Sequence, residues 1–202
     1  MSTRAREHRS FMERLRPHRT ENGAVAVEAA LIFPVLILLV FGMIEFSLLL
    51  RDYVTVNSAV RTGARTASSE PRITTMPQDT ADSIERAGSA MPKNNIDFIY
   101  VYRANDKGYP GANGNTTMTG CPGTNCIKYV WNDAAGRFND DATGSWNTNT
   151  INACPGDPNA QAVGVFMQAT HKAITGLFGT SFKVSDRAVM KFEPLRPGSC
   201  KP

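Results

Sequence analysis

The hydrophobic positions of this chain are concentrated in one segment. Residues 31–50 read LIFPVLILLVFGMIEFSLLL, and fifteen of these twenty residues are Leu, Ile, Phe or Val. As a helix that rises about 1.5 Å per residue, such a segment spans roughly 30 Å, which is the thickness of the hydrocarbon core of a bilayer. Insertion of the fifteen side chains contributes roughly −7 kcal/mol, against a cost of about 3 kcal/mol for one central charge. The pattern therefore predicts a membrane-spanning helix.

Helical spacing of apolar residues continues beyond this segment. The positions that recur at intervals of three and four residues are Tyr53, Val56, Val60, Ala64 and Ala67. Their spacing predicts one long helix from about residue 24 to residue 67. Ala59, Gly63 and Ala67 form a row of small residues along it, which would let another backbone approach closely. That backbone belongs either to a second subunit or to the chain's own exported domain.

The remainder of the chain predicts a short helix, several strands and long loops. A second helix is expected at about 79–90, between two prolines. Alternating or β-branched runs predict strands at 96–102, 128–131, 162–170 and 184–192. Residues 105–160 are otherwise rich in Asn and Gly, as surface loops are. The expected fold is α+β, with the long N-terminal helix packed on a small antiparallel sheet of three or four strands.

Charge predicts the topology of the membrane segment. The net charge is +4, and residues 1–23 contain six Arg and three Glu. Because positive flanks stay in the cytoplasm, we divide the chain into a basic cytoplasmic leader (1–23), a transmembrane helix (24–50) and an exported domain (51–202) with a loop-rich insertion at about 105–160. The exported part is nearly neutral, which argues against a nucleic-acid partner. A cleavable secretory signal is the alternative, but its apolar core would be shorter.

A short motif precedes the apolar run. Residues 21–28 read ENGAVAVE, and they resemble the processing junction of type IV pilin-like precursors, in particular the TadE-like family of the Tad (Flp) pilus assembly system. In such precursors a prepilin peptidase cuts after the Gly that ends a basic leader, and a Glu is the fifth residue of the mature chain. The resemblance implies cleavage between Gly23 and Ala24, which makes Glu28 the fifth residue. The string VNSAVRTGARTAS after the apolar run also resembles this family.

Three residues of the helix invite a specific interpretation. Glu28 lies at the cytoplasmic edge of the bilayer, where an unpaired carboxylate is costly. After cleavage, the new α-amino group of Ala24 on one subunit would pair with Glu28 of a neighbour, so Glu28 is predicted to dock subunits. The alternative is a glutamate that reaches the headgroup region.

Pro34 removes one helix hydrogen bond and predicts a bend. Glu45, near the outer end, is expected to be solvated, with contact to another subunit as the alternative.

The four cysteines all lie on the predicted exported side. In an oxidising compartment they indicate two disulfides, for which three pairings are possible. We favour Cys121 with Cys126 and Cys154 with Cys200. A zinc site is the alternative, but Cys154 and Cys200 stand alone in sequence and no histidine is close to them. No metal or cofactor is expected.

Catalytic motifs are not apparent. No nucleophile elbow, zinc-protease motif or phosphate-binding loop occurs. His171 is expected on the surface, in the turn after a strand, and residues 139–141 are expected to form a solvated turn rather than a calcium site. The chain is therefore not expected to be an enzyme.

The leading hypothesis follows from the resemblance. It is a TadE-like minor pseudopilin of the bacterial inner membrane that takes part in assembling Tad (Flp) pili. Its expected partners are the lipid bilayer, the prepilin peptidase, and other Tad pilus subunits and assembly proteins. The alternative is a single-pass anchored envelope module that binds a ligand through residues 105–160 and never joins a pilus.

Overall fold

The computed structural model describes residues 22–176, 179–196 and 198–200. Outside these residues lie the arginines of the predicted leader and residues 177–178, between the last two strands. The described chain forms two compact units, of which the first ends at Met43 and the second begins at Ile44.

The first unit consists of helix only. It is the N-terminal part of α1 (Asn22–Ser69), a helix of 48 residues. Its large apolar side chains are all exposed, from 43% for Phe41 to 72% for Leu31. Among the described residues, α1 is the one helix long and apolar enough to cross a membrane. Pro34 lies inside α1, which continues on both sides of it, and the bend expected there stays a prediction.

The second unit is built on a five-stranded sheet. The strands are β1 (Ile96–Ala104), β2 (Cys126–Asn132), β3 (Arg137–Asp140), β4 (Ala162–Lys172) and β5 (Ser181–Lys191). They lie in the order β3-β2-β1-β4-β5, and every neighbouring pair is antiparallel. The α+β prediction is confirmed, but the expected three or four strands were too few. The short strand β3 was missed because only Phe138 of its four residues is buried, which leaves no apolar alternation to detect.

The second helix begins and ends three residues earlier than predicted. It is α2 (Met76–Ala87), and Pro77 lies in its first turn. Proline is tolerated there because the first N–H groups of a helix have no acceptor within the helix. Gly88 follows the last turn and donates to the carbonyl of Ile84.

The C-terminal part of α1 lies over one face of the sheet and contributes to the main core. Val56, Val60, Ala64 and Ala67 are fully buried, as the spacing predicts, but Tyr53 is 49% exposed. The amide of Asn57 donates to the Asp186 carboxylate of β5, which fixes the helix to the last strand. Tyr53 does not share their burial because the buried face continues through the polar residues Asp52 and Glu45 instead.

The row of small residues packs within its own chain. A Cβ added at Gly63 would lie 2.6 Å from Cγ1 of Ile84, which is on α2. Gly88, at the end of α2, likewise lies against Ala59. Of the two partners considered for this row, the structure therefore supports the chain's own second unit.

The opposite face of the sheet carries a smaller aromatic cluster. Tyr102 of β1 is fully buried there, and its hydroxyl donates to the carbonyl of Gly108 at 3.0 Å. Burial raises the pKa of Tyr102 to about 12, so the hydroxyl keeps its proton and remains a donor. Gly164 of β4 is the residue paired with Tyr102 in the sheet.

Replacing Gly164 with alanine should destabilise the protein. The new Cβ would lie 2.3 Å from two ring carbons of Tyr102, and this ring cannot move freely because it is buried and hydrogen-bonded. We expect a loss of about 1–3 kcal/mol in the free energy of unfolding, measured by denaturant titration in detergent micelles. Gly120→Ala is the control, because nothing lies within 4 Å of a Cβ there. Similar losses in the two variants would contradict the prediction.

Candidate functional site

The predicted processing junction lies at the start of α1. Gly23, Ala24 and Glu28 are all helical and exposed. Among the described residues, apart from the adjoining helix backbone, nothing lies within 4 Å of a Cβ built at Gly23. With Glu28 four residues after Ala24, the two are about 6 Å apart along the helix axis. Cleavage after Gly23 and docking through Glu28 stay predictions.

A buried cluster of ionisable side chains lies further along α1. Glu45 and Asp52 of the helix and His171 of β4 are 5%, 3% and 4% exposed. The His171 Nδ1 atom lies 2.7 Å from Asp52 Oδ2, and Nε2 lies 3.2 Å from Glu45 Oε1. Arg51 donates from Nη2 to the other oxygen of Asp52 at 3.1 Å. We call these four residues the charge cluster.

The contacts of His171 determine how many protons the imidazole and the two carboxyl groups share. A neutral imidazole donates from one ring nitrogen only, whereas both nitrogens of His171 face carboxylate oxygens. The contacts therefore require either an imidazolium between two carboxylates or a proton on one carboxyl group. With the imidazolium, the positive charges of His171 and Arg51 balance the negative charges of Glu45 and Asp52.

Glu45 also binds the turn that follows β4. The backbone N–H of Ile174 donates to Glu45 Oε2 at 3.1 Å, and that of Thr175 donates to the same oxygen at 3.2 Å. The Thr175 hydroxyl adds a third contact at 3.2 Å. One carboxylate thus joins α1 to the end of β4 and to the turn beyond it.

The expectations for Glu45 and His171 were both wrong. Glu45 was expected in solvent or against another subunit, and His171 on the surface of a turn. His171 is buried because β4 runs two residues further than predicted, and Glu45 is buried because the turn folds over it. A signal was present in the sequence, since Glu45 and Asp52 precede Val56 by eleven and four residues and so lie on its face of the helix.

The charge cluster is not arranged as a metal site or a catalytic triad. The two carboxylates approach opposite nitrogens of the imidazole, so the three groups do not converge on one point. Within the ranges the structure describes, no group of three or more His, Cys, Asp or Glu residues could hold a metal. At residues 139–141, Asn139 and Asp140 belong to β3, and Asp141 is 2.7 Å from Lys128.

Two disulfides stabilise the loops of the second unit. Cys121 is bonded to Cys126, and Cys154 is bonded to Cys200, which is the pairing favoured from the sequence. The second disulfide lies where the loop before β4 meets the last described residues. Leu195 donates from its backbone to Ala153 there, at 3.0 Å.

Comparison with known families gives a match to the N-terminal part of the chain. Residues 23–65 match the family described as TadE-like protein. Over these residues the N-terminal helix is similar to TadE-like proteins. Comparisons with curated proteins and with solved structures give no match.

The TadE-like segment contains part of each candidate site. It begins at Gly23, the residue of the predicted junction, and includes Glu28, Glu45 and Asp52. His171 and the whole sheet lie after it. The family match therefore covers the residues of the predicted junction and most of α1, whereas the buried partner of Glu45 is identified only by the fold.

Proposed function

We propose that this TadE-like chain is a minor pseudopilin that takes part in assembling a Tad (Flp) pilus. The observation that carries the proposal is the position of the family match. The match begins at Gly23, which is the residue before the predicted cleavage site. The exposed apolar part of α1 follows directly. In this proposal the leader stays in the cytoplasm, α1 spans the bacterial inner membrane, and the domain is exported. Two disulfides fit export, since oxidising compartments preserve them.

The membrane-spanning part is shorter than the apolar run indicates. Glu45 is bound within the folded unit, and Leu49 packs against the main core. We therefore propose that the span ends near Met43 rather than Leu50, at the boundary between the two compact units. Residues 23–43 form about 31 Å of helix at 1.5 Å per residue, which is enough to cross a hydrocarbon core.

Processing would create an α-amino group that can pair with the Glu28 carboxylate. A prepilin peptidase that cuts after Gly23 exposes the α-amino group of Ala24. Glu28 is exposed on α1, so its carboxylate is available to the amine of a neighbouring helix. In low-dielectric surroundings an unpaired charge costs several kcal/mol, so such a pair would select one axial register between subunits. The proposed partners are the bilayer, the prepilin peptidase, and other Tad pilus subunits and assembly proteins.

The role proposed for the exported domain is structural rather than catalytic. The histidine of the charge cluster is buried and held on both nitrogens, so it has no free nitrogen for a substrate. The domain would instead present a folded surface outside the membrane, at the end of the anchoring helix.

The N-terminus of the chain tests the proposal. When the full chain is produced together with an active prepilin peptidase, mass spectrometry of the membrane-extracted protein should show a chain that begins at Ala24. Gly23→Leu should abolish this processing, because the residue before the cut is changed. Gly42→Leu, in the same helix and away from the junction, should be processed normally. An intact leader on the unaltered chain would contradict the proposal.

A further inference from the structure

An open apolar groove lies beside the charge cluster. It is lined by Phe46, Leu49, Leu50 and Tyr53 of α1 and by residues 182–185 of β5. We call it the outer groove. Phe46 is 66% exposed. Ile174, whose backbone N–H donates to Glu45, is 72% exposed. The patch is unusual because the rest of the second unit buries most of its large apolar side chains.

We infer that the outer groove and Ile174 rest on the outer leaflet of the lipid bilayer. The inference depends on the proposed anchoring by α1. Phe46 follows Met43 by three residues, about 4.5 Å along the helix, so the chain itself brings the groove to the level where the lipid-exposed helix ends. No second attachment is needed to put it there.

Charges around the groove fit the headgroup region. Lys183 lines the groove with its ammonium group exposed, although it also lies 3.6 Å from Asp97. Arg51 and Lys172 are exposed on the adjoining surface. Long cationic side chains place their stems in the apolar layer and their charges among phosphates. Tyr53, half exposed at the far end of the groove, is a residue type enriched at this interface.

The acidic residues beside the groove do not oppose lipid contact. Glu45 accepts three hydrogen bonds from the turn and one contact from His171, and Asp52 is paired with Arg51 and His171. Both carboxylates are therefore held inside the protein, with balancing charges. The charge cluster would also keep Ile174 at a fixed height beside α1, so the turn and the helix would contact the leaflet together.

Tryptophan emission in vesicles with brominated acyl chains tests this inference. The full chain is reconstituted as three variants, Ile174→Trp, Ile73→Trp and Leu38→Trp. Ile73 is the matched control, an exposed isoleucine in the turn after α1. The native Trp131 and Trp146 give a constant background, because all variants contain them. A side chain buried ~5–10 Å into the headgroup boundary meets bromines near the top of the chains, so about half of the emission added by Ile174→Trp should be lost.

The three variants separate failure of the inference from failure of the anchoring. Ile73→Trp should lose almost no emission, since it lies beyond the far end of α1, and Leu38→Trp should be strongly quenched. Quenching of Leu38→Trp without quenching of Ile174→Trp would overturn the lipid contact while leaving the anchor intact. No quenching of Leu38→Trp would overturn both. Blue-shifted emission from Ile174→Trp that is insensitive to bromine at every protein-to-lipid ratio would mean that a second copy covers the groove, which also overturns the inference.

Discussion

Replacing Cys154 and Cys200 together with serine should lower the free energy of unfolding by about 4 kcal/mol, the loss expected for opening a loop of this length. The two cysteines are 46 residues apart in the sequence, so their bond restricts a long stretch of the unfolded chain. That stretch includes β5, which is one edge of the sheet, and β4, which is paired with it. Denaturant unfolding of the full chain in detergent micelles, monitored by tryptophan emission, measures the loss.

The other disulfide provides the control for this prediction. Cys121 and Cys126 are only five residues apart, and the same treatment of chain entropy gives about 2 kcal/mol for so short a loop. The pairs also differ in burial, since Cys126 is fully buried, so Cys126 is replaced by alanine in the control to leave no hydroxyl in the core. Equal losses, or a larger loss for the short loop, would show that the long disulfide does not stabilise the domain through the unfolded chain.

Replacing His171 with leucine should cost about 3–5 kcal/mol of unfolding free energy, because it removes the side chain that contacts both buried carboxyl groups. Asp52 would keep only its contact with Arg51, and Glu45 would keep only the turn. Leucine has a similar volume, so the loss would come from unpaired charge rather than from a cavity. The same denaturant titration measures it.

Two further variants establish the origin of that loss. Arg137→Ala breaks an ion pair with Asp82 whose side chains are 45% and 30% exposed, and surface pairs of this kind contribute at most about 1 kcal/mol. Combining His171→Leu with Glu45→Gln and Asp52→Asn should recover part of the stability, since no buried charge is then left without a partner. If the combined variant is less stable than His171→Leu alone, unpaired charge is not the cause.

Local patterns predicted most of the fold. The apolar run and its continuation gave α1 to within two residues at each end, and alternation located β1, β2, β4 and β5. The missing strand β3 has one buried apolar residue and gains its hydrogen bonds from β2. Its position depends on a tertiary contact that composition does not encode, and the same applies to the two extra residues of β4.

The candidate sites differ in how far the sequence reveals them. The junction at Gly23 is a local motif, so a short string is enough to recognise it. The charge cluster joins residues separated by 126 positions, and each of its members alone is typical of a surface. Glu45 and Asp52 are seven residues apart, a rotation of roughly 700°, which is close to two full turns of the helix. Only this spacing indicates that both side chains lie on the buried face.

The packing of α2 against Gly63 limits which part of α1 can contact another copy of this chain. The face of α1 that carries Gly63 is packed on α2 of the same chain, so that face is closed to a neighbouring helix. Residues 23–43, whose large apolar side chains are all exposed, measure about 31 Å at 1.5 Å per residue. In a polymer of this subunit, contacts between helices of different copies would therefore form along this segment rather than along the face that carries Gly63.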